Sequence, residues 1–304
     1  MIGKNLTFWF QTIHAALVVI GVFALIYSLS TNSAVDIAPN WGLWLVAGFL
    51  VSQISFYIYS WRFRKVAGLM KIKLSAVDSL RLNMQGLFYH FFLPFSAAAD
   101  FAKFFKLKTH QTSKQERLKT IILDHSVGLF SLVFISGFLL SFKEHTFEYP
   151  QINYFILVGI CLTMLAIILV YKKYFVNAKE FATVNTREIV TIFASSIAMQ
   201  TLLSLSVKLA SLNLGVEISY LDILFVMSLS MIFHAVPVHL LGVGLAEIMG
   251  SALYITIGLS PIEAIQMVSI LYFFRLTTAI MGGAWELLNQ KLIRRRFDQQ
   301  KLLK

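Results

Sequence analysis

An all-α, polytopic integral membrane protein is the fold this sequence predicts, on three observations. Of its 304 residues 58% are hydrophobic, only 13% are charged, and the apolar residues gather into long runs. A soluble domain carries about 25% charge, and a spanning helix needs about 20 apolar residues. Six runs meet that length: Phe8 to Leu29, Trp41 to Trp61, Ile121 to Phe142, Asn153 to Tyr171, Ile189 to Leu212 and Ile265 to Trp285. Two more, Leu82 to Ala99 and Leu221 to Gly258, are apolar but interrupted. Residues 1–304 read as one transmembrane domain with a basic tail at 287–304.

The first run follows Lys4 and exceeds the roughly 7 to 15 residues of a signal-peptide core, without a small-residue cleavage site. It reads as an uncleaved helix. The single cysteine, Cys161, falls inside the fourth run, so no internal disulfide forms and redox chemistry is not expected.

A formal charge of +11 would point to nucleic acid in a soluble chain, but here the cations sit in short links between apolar runs, so no nucleic-acid partner is expected. Six Lys or Arg fall between Arg62 and Arg81, six between Lys103 and Lys119, four between Lys172 and Arg187, and six between Lys291 and Lys304. The other links contain only Lys143. Positive charge marks cytoplasmic loops, which puts the C-terminus in the cytoplasm.

That charge map forces each interrupted run to enter and leave on one side. The first, 82–103, has basic links at both ends and is expected to be a re-entrant helical hairpin from the cytoplasm, turning around His90 to Ser96 with Pro94 at the break. The second, 221–258, has non-basic links and is expected to enter from outside, turning near Pro237 to Gly244. The architecture is then about six spanning helices plus two oppositely oriented re-entrant hairpins, the arrangement with which inverted-topology transporters build a midplane site. The alternative is that Leu82 to Ala99 is a weak spanning helix and one loop breaks the charge rule.

Within the second interruption, His234 to Glu247 places Pro237, Gly242, Gly244 and Glu247 in apolar sequence, which a bilayer accepts only where protein or a water-filled cavity surrounds it. Glu247 and Arg275 are costly intramembrane charges expected to face a cavity or partner; the structural alternative is an ion pair of Arg275 with Glu247 or Glu286. Asp100 and Lys103, three apart, share one face if helical, as a gate or head-group contact, or else as a solvated pair. Asp124 and His125 open a run, where an acid also suits a helix N-terminus. Asn83 and His90 can satisfy backbone groups freed near Pro94, and Lys208 is expected to snorkel to the interface. His234 and His239 are five apart and lack the His-Glu-x-x-His zinc spacing, so no metal and no cofactor is expected.

Two blocks carry a family resemblance. Asn83, then Leu93-Pro94, then Ala98-Ala99-Asp100-Phe101-Ala102-Lys103, continuing into Leu123-Asp124-His125, form one; Val236-Pro237, Gly242-Val243-Gly244-Leu245-Ala246-Glu247 and Gly258-Leu259-Ser260-Pro261-Ile262-Glu263-Ala264 form the other. Together they resemble the transmembrane flippase-like region of the lysylphosphatidylglycerol synthase family. Ala99 stands where that family favours Gly, Lys103 where it favours Arg, and His125 where an acidic-Arg pair is common. The resemblance implies lipid translocation in a prokaryotic cytoplasmic (inner) membrane, with the signature positions Asn83, Pro94, Asp100, Lys103, Asp124, Pro237, Gly242, Gly244 and Glu247 as substrate-binding residues; Arg275 joins them as an intramembrane charge suited to a lipid phosphate. The synthases add a soluble aminoacyl-transfer domain; this chain ends at Lys304 after its last run at Trp285, so synthase activity is not expected.

The leading functional expectation is a transporter, not an enzyme, that moves an anionic phospholipid or polyprenyl-phosphate-linked lipid between leaflets. The competing expectations are a membrane-embedded enzyme with Glu247 or Asp100 as general base, and an assembly partner, as a homo-oligomer or within an envelope-biosynthesis complex. Without an ATP-binding motif, transport is passive or coupled to an ion gradient.

Overall fold

The computed structural model describes residues 42–93, 97–110, 112–141, 185–233, 239–240 and 243–302. The expected runs Phe8 to Leu29 and Asn153 to Tyr171 lie outside them. In chain order the helices are α1 (Leu43–Leu69), α2 (Ala76–Phe92), α3 (Ala98–Lys106), α4 (Lys114–Ser141), α5 (Thr186–Ser211), α6 (Tyr220–Ile232), α7 (Leu245–Thr256) and α8 (Pro261–Leu302). Short 3-10 turns follow at Leu107–His110 and Leu212–Leu214, and a two-residue antiparallel pair, β1 (His239–Leu240) and β2 (Val243–Gly244), lies between α6 and α7. Four stretches, Leu43–Leu69, Lys114–Leu140, Thr186–Leu214 and Pro261–Leu288, are long and apolar enough to cross a membrane. The chain is an integral membrane protein.

Two boundaries differ from the hydropathy reading. The run from Ile121 is preceded by about two charged turns, so α4 begins at Lys114 and Asp124 sits inside the helix rather than at its N-terminus. The last helix runs on through the basic tail to Leu302, because Lys, Arg and Gln are good helix formers.

The interrupted runs form two helical hairpins. In the first, Ser75 caps α2 by accepting the Asp78 amide at 3.0 Å, and Leu93 leaves the helix in extended backbone (ψ 140°), as the residue before a proline must. The return arm α3 then packs back on α2: a Cβ at Gly86 would lie 3.5 Å from the Ala99 carbonyl. In the second hairpin α6 is capped by Ser219 and α7 ends near Gly258, whose φ of 104° suits glycine. At 13 and 12 residues these arms reach only about 20 Å, short of the ~30 Å hydrocarbon core. Residues 223–230 of α6 are all buried, so this arm is wrapped by protein on every side.

The long helix α8 is the spine against which both hairpins lie. Gly282 and Gly283 let α2 approach: a Cβ at Gly282 would meet the Met84 carbonyl oxygen at 2.2 Å, and one at Gly283 the Phe88 ring at 2.5 Å. Higher on α2, Phe91 stacks obliquely on Tyr272 with ring centroids 5.3 Å apart. From the other end, a Cβ at Gly250 of α7 would touch Val268 at 3.4 Å. The first hairpin thus covers the Glu286-to-Tyr272 half of α8 and the second covers the half nearer Pro261.

On the opposite side α1 and α5 pack closely, since Gly48 brings α1 against the Ser206 carbonyl and the Ser55 hydroxyl donates to the Met199 carbonyl at 2.8 Å. Small residues at helix contacts are how membrane helices approach one another. The largest apolar core joins α4 through α8; a second joins α1, α2 and α4 around Phe63, Val66 and Leu123.

Candidate functional site

Two polar clusters lie inside this apolar frame. The first is built from helical stripes. Ser52, Ser55, Tyr59 and Arg62 recur every three or four residues on α1, Asp124, Gly128 and Ser131 do so on α4, and Ser196, Gln200 and Ser204 on α5, so each set shares a face. Where the faces meet, Arg62 donates through Nε (3.1 Å) and Nη2 (2.9 Å) to one carboxylate oxygen of Asp124, with both side chains 4% exposed. Its Nη1 donates to the Ser196 hydroxyl at 2.7 Å, and Ser196 shares a 2.8 Å contact with Ser131. Gly128 makes room, since a Cβ there would lie 3.4 Å from the guanidinium.

The return arm of the first hairpin plugs into this cluster. Lys103 is buried; its Nζ donates to the Tyr59 hydroxyl at 2.7 Å and lies over the rings of Tyr59 and Phe63, at 5.1 and 4.8 Å from their centroids. Tyr59 also carries the Arg62 guanidinium on its face, at 5.1 Å. One turn earlier Asp100 accepts from Nε2 of His125 at 2.9 Å, and because an ionised carboxylate only accepts, that nitrogen carries the hydrogen. Burial pushes the Asp100 carboxyl up, but the His125 hydrogen bond and the positive potential of His125, Lys103 and His90 outweigh it and hold the group below the usual carboxylate range.

The second cluster is centred on Arg275, midway along the membrane-length part of α8. Its Nη1 donates to Glu247 at 3.3 Å, its Nη2 lies 3.5 Å from Nε2 of His90, and its guanidinium sits 5.7 Å from the centre of the Phe91 ring. His90 is in the last turn of α2 and Glu247 in the first turn of α7. The end of α2 and the start of α7 therefore meet on one arginine at the middle of the spine.

Of the residues singled out from sequence, Asp100, Lys103 and Asp124 gather in the first cluster, and Glu247 pairs with Arg275. Asn83 borders the first hairpin's inner face: it is buried, its amide donates to the Ser79 carbonyl at 2.9 Å, and its Oδ1 has no hydrogen-bond partner among the described residues. Its bond is to α2's own earlier turn, not to backbone freed near Pro94. Gly244 lies in β2, paired with His239. Pro94, Pro237 and Gly242 lie outside the described residues.

Several expectations are corrected. Asp100 and Lys103 share a helix but are no solvated pair, since each has its own partner and Lys103 is 4% exposed. Asp124 is no helix cap, being a third-turn residue of α4 locked to Arg62. Glu286 is held by Lys106 at 2.7 Å and takes the Tyr89 hydroxyl at 3.4 Å, pinning the first hairpin to α8. Lys208 extends toward the end of α5 and donates to the Ile218 carbonyl in the link to α6 at 2.7 Å.

Sequence reasoning missed Arg62 and Tyr59 because Arg62 sits just past an apolar run and counts as a loop cation. The signal lay in the three-and-four spacing of Ser52, Ser55, Tyr59 and Arg62. Among the described residues no group of three His, Cys, Asp or Glu is placed to hold a metal.

Comparison with known proteins gives one match: the family model described as the lysylphosphatidylglycerol synthase TM region covers residues 11–285 of the chain. No curated protein and no solved structure matches.

Proposed function

Because the chain belongs to the family of the lysylphosphatidylglycerol synthase transmembrane region, we propose that it moves an anionic lipid, a phospholipid or a polyprenyl-phosphate-linked molecule, from one leaflet to the other without modifying it. The observation that carries this reading is the meeting of the end of α2 and the start of α7 on Arg275, with His90 from one and Glu247 from the other. In this reading the hairpins re-enter the bilayer from opposite faces, so this contact lies near the midplane. A phosphate crossing there must exchange its water for other donors, and Arg275 offers a planar fork that suits phosphate. The acyl chains stay in the surrounding lipid while the head group passes between the hairpins.

The latch that holds the first hairpin on one side of this contact fits alternating access. Toward one end the first hairpin is latched by Lys103 to Tyr59 and Asp100 to His125; releasing that latch opens the path on its side. The test is head-group exchange in liposomes holding the purified full chain. Glu247→Gln and Arg275→Ala are expected to slow exchange, and full rates in both variants would remove the Arg275 contact from the pathway.

A further inference from the structure

Between the Arg275 contact and the Lys103 latch, one polar side chain of α1 reaches across to α8. Nε2 of Gln53 donates to the Thr278 hydroxyl at 2.9 Å and lies 3.3 Å from the Ser52 hydroxyl. Both hydroxyls give their own hydrogens to carbonyls of their helices, Thr278 to Phe274 at 2.9 Å and Ser52 to Phe49 at 2.6 Å. Toward Gln53 they can therefore only accept, which fixes the amide with its N–H groups turned to them.

The helices set where this amide stands. Phe49 and Phe274, four residues before Gln53 and Thr278, touch edge to face with ring centroids 5.8 Å apart, so α1 and α8 run in the same direction here. At 1.5 Å per residue, Thr278 lies about 4.5 Å beyond Arg275 along α8, and Tyr59 lies about 9 Å beyond Gln53 along α1. The order along the shared axis is Arg275, Gln53, then the Tyr59 hydroxyl that holds Lys103. Thr278 is buried and Gln53 half-buried. Leu50, Ile54 and Tyr57, which share the Gln53 face of α1, and Met281, one turn past Thr278, are exposed. A polar donor thus stands behind an apolar rim, the two-sided lining that a lipid head and its tails require.

We propose that the Gln53 amide is a binding position for the lipid phosphate, between Arg275 and the latch of the first hairpin. The proposal rests on the transport reading above and adds a residue to its path. A phosphate passing from Arg275 to the latch travels about 13 Å, and a stretch without donors is costly for it. At Gln53 it takes over the N–H groups now given to Thr278 and Ser52. The two hydroxyls stay bonded to their own carbonyls, so the exchange strands no polar hydrogen. A neutral amide also holds the anion weakly enough to let it go, which a multi-site pathway needs.

The experiment measures exchange of fluorescent phosphatidylglycerol in phosphatidylcholine vesicles holding the full chain, read by an impermeant quencher against protein-free vesicles, with unfolding midpoints in micelles alongside. Gln53→Leu removes the donors and should slow exchange by about tenfold or more, the low end of what a hydrogen bond to a charged group contributes. Gln53→Glu, which offers acceptors to the phosphate, should be no faster than Gln53→Leu, whereas Gln53→Lys should be faster than Gln53→Leu. Thr278→Val breaks the same resting bond but leaves the amide in place, so it should be no slower than the parent even where its midpoint falls.

A simple clamp between helices makes the opposite forecast. Gln53→Leu and Thr278→Val then lose exchange together, in step with their midpoints, and Gln53→Lys fares no better. That result overturns the proposal, as does a parent rate in Gln53→Leu, and in either case the transport reading stands. If Gln53→Glu does not fold, the comparison of Gln53→Lys with Gln53→Leu decides alone. Absence of exchange in the parent chain refutes the transport reading and the proposal with it.

Discussion

Arg62 and Asp124, sixty-two positions apart, form a two-pronged ion pair at 2.9 and 3.1 Å whose side chains are only 4% exposed. Stranding either charge is costly, because the survivor has no water to turn to: breaking a buried pair costs about 3–5 kcal/mol. Asp124→Asn and Arg62→Ala are each expected to lower the unfolding midpoint in mixed micelles by a matching amount. The double replacement Arg62→Met with Asp124→Leu should recover much of that loss, since it leaves neither charge behind. A double variant no better than the singles would mean that the pair adds stability beyond mutual neutralisation.

The contact of α8 with α2 predicts an ordering of two neighbouring substitutions. A methyl at Gly282 runs into the backbone carbonyl of Met84 at 2.2 Å, whereas one at Gly283 meets the ring of Phe88 at 2.5 Å. Backbone cannot step aside without moving a helix; a ring can rotate. Overpacking costs about 1–3 kcal/mol, so Gly282→Ala should fall at the upper end or beyond and Gly283→Ala below it, measured by thermal unfolding in micelles. Equal losses would show that α2 and α8 slide freely on each other.

The Asp100 contact with His125 makes the seating of the first hairpin pH-dependent, and the sign follows from the carboxyl. Its affinity for protons is lower in the folded chain than in the unfolded one, so the stabilisation is present above the ordinary carboxylate range and disappears as the pH falls below that range through the folded value. Protonated Asp100 loses its charge and the attraction to His125 with it. Hydrogen exchange of α3 should accelerate on acidification in the parent chain, and Asp100→Asn should flatten that dependence. Unchanged acid sensitivity in Asp100→Asn would assign it to another carboxylate.

What the sequence discloses here follows from what hydropathy measures. The four runs that fall within the described residues emerge as helices, because twenty apolar residues in a row have little else to form in a bilayer. The runs interrupted near Pro94 and Pro237 emerge as pairs of shorter helices, α2 with α3 and α6 with α7. Hydropathy does not say where a helix ends, however, so α4 extends seven residues before its apolar run and α8 continues to Leu302. Charge counting fails in a related way: Arg62, Lys103 and Arg117 read as loop cations yet are 3%, 4% and 4% exposed. Each is buried against a partner from another helix, for Arg117 the Phe104 carbonyl at 2.9 Å, and no helical spacing names that partner. Glu247 and Arg275 were legible because an intramembrane charge is too costly to be idle.

Arg is the other long cation that could stand at Lys103, and the local geometry predicts what it would do there. Lys103 threads its stem past Gly86, where even a Cβ would lie 3.2 Å from Cε, and places one ammonium between the Tyr59 hydroxyl and the rings of Tyr59 and Phe63. A point charge with a rotatable head fits that slot; a rigid planar fork is wider. Lys103→Arg should therefore destabilise the docked hairpin, by about 1–3 kcal/mol if the extra bulk behaves as ordinary overpacking. Lys103→Met, which keeps the stem and loses the charge, should forfeit the hydrogen bond and both ring contacts while leaving Gly86 undisturbed. Unfolding midpoints below the parent for both variants, together with faster hydrogen exchange confined to α3 in Lys103→Met, would fit a cation whose main work is latching the hairpin to α1. Faster lipid exchange in Lys103→Met would follow if opening that latch limits the rate; slower exchange would instead assign Lys103 to the lipid phosphate itself.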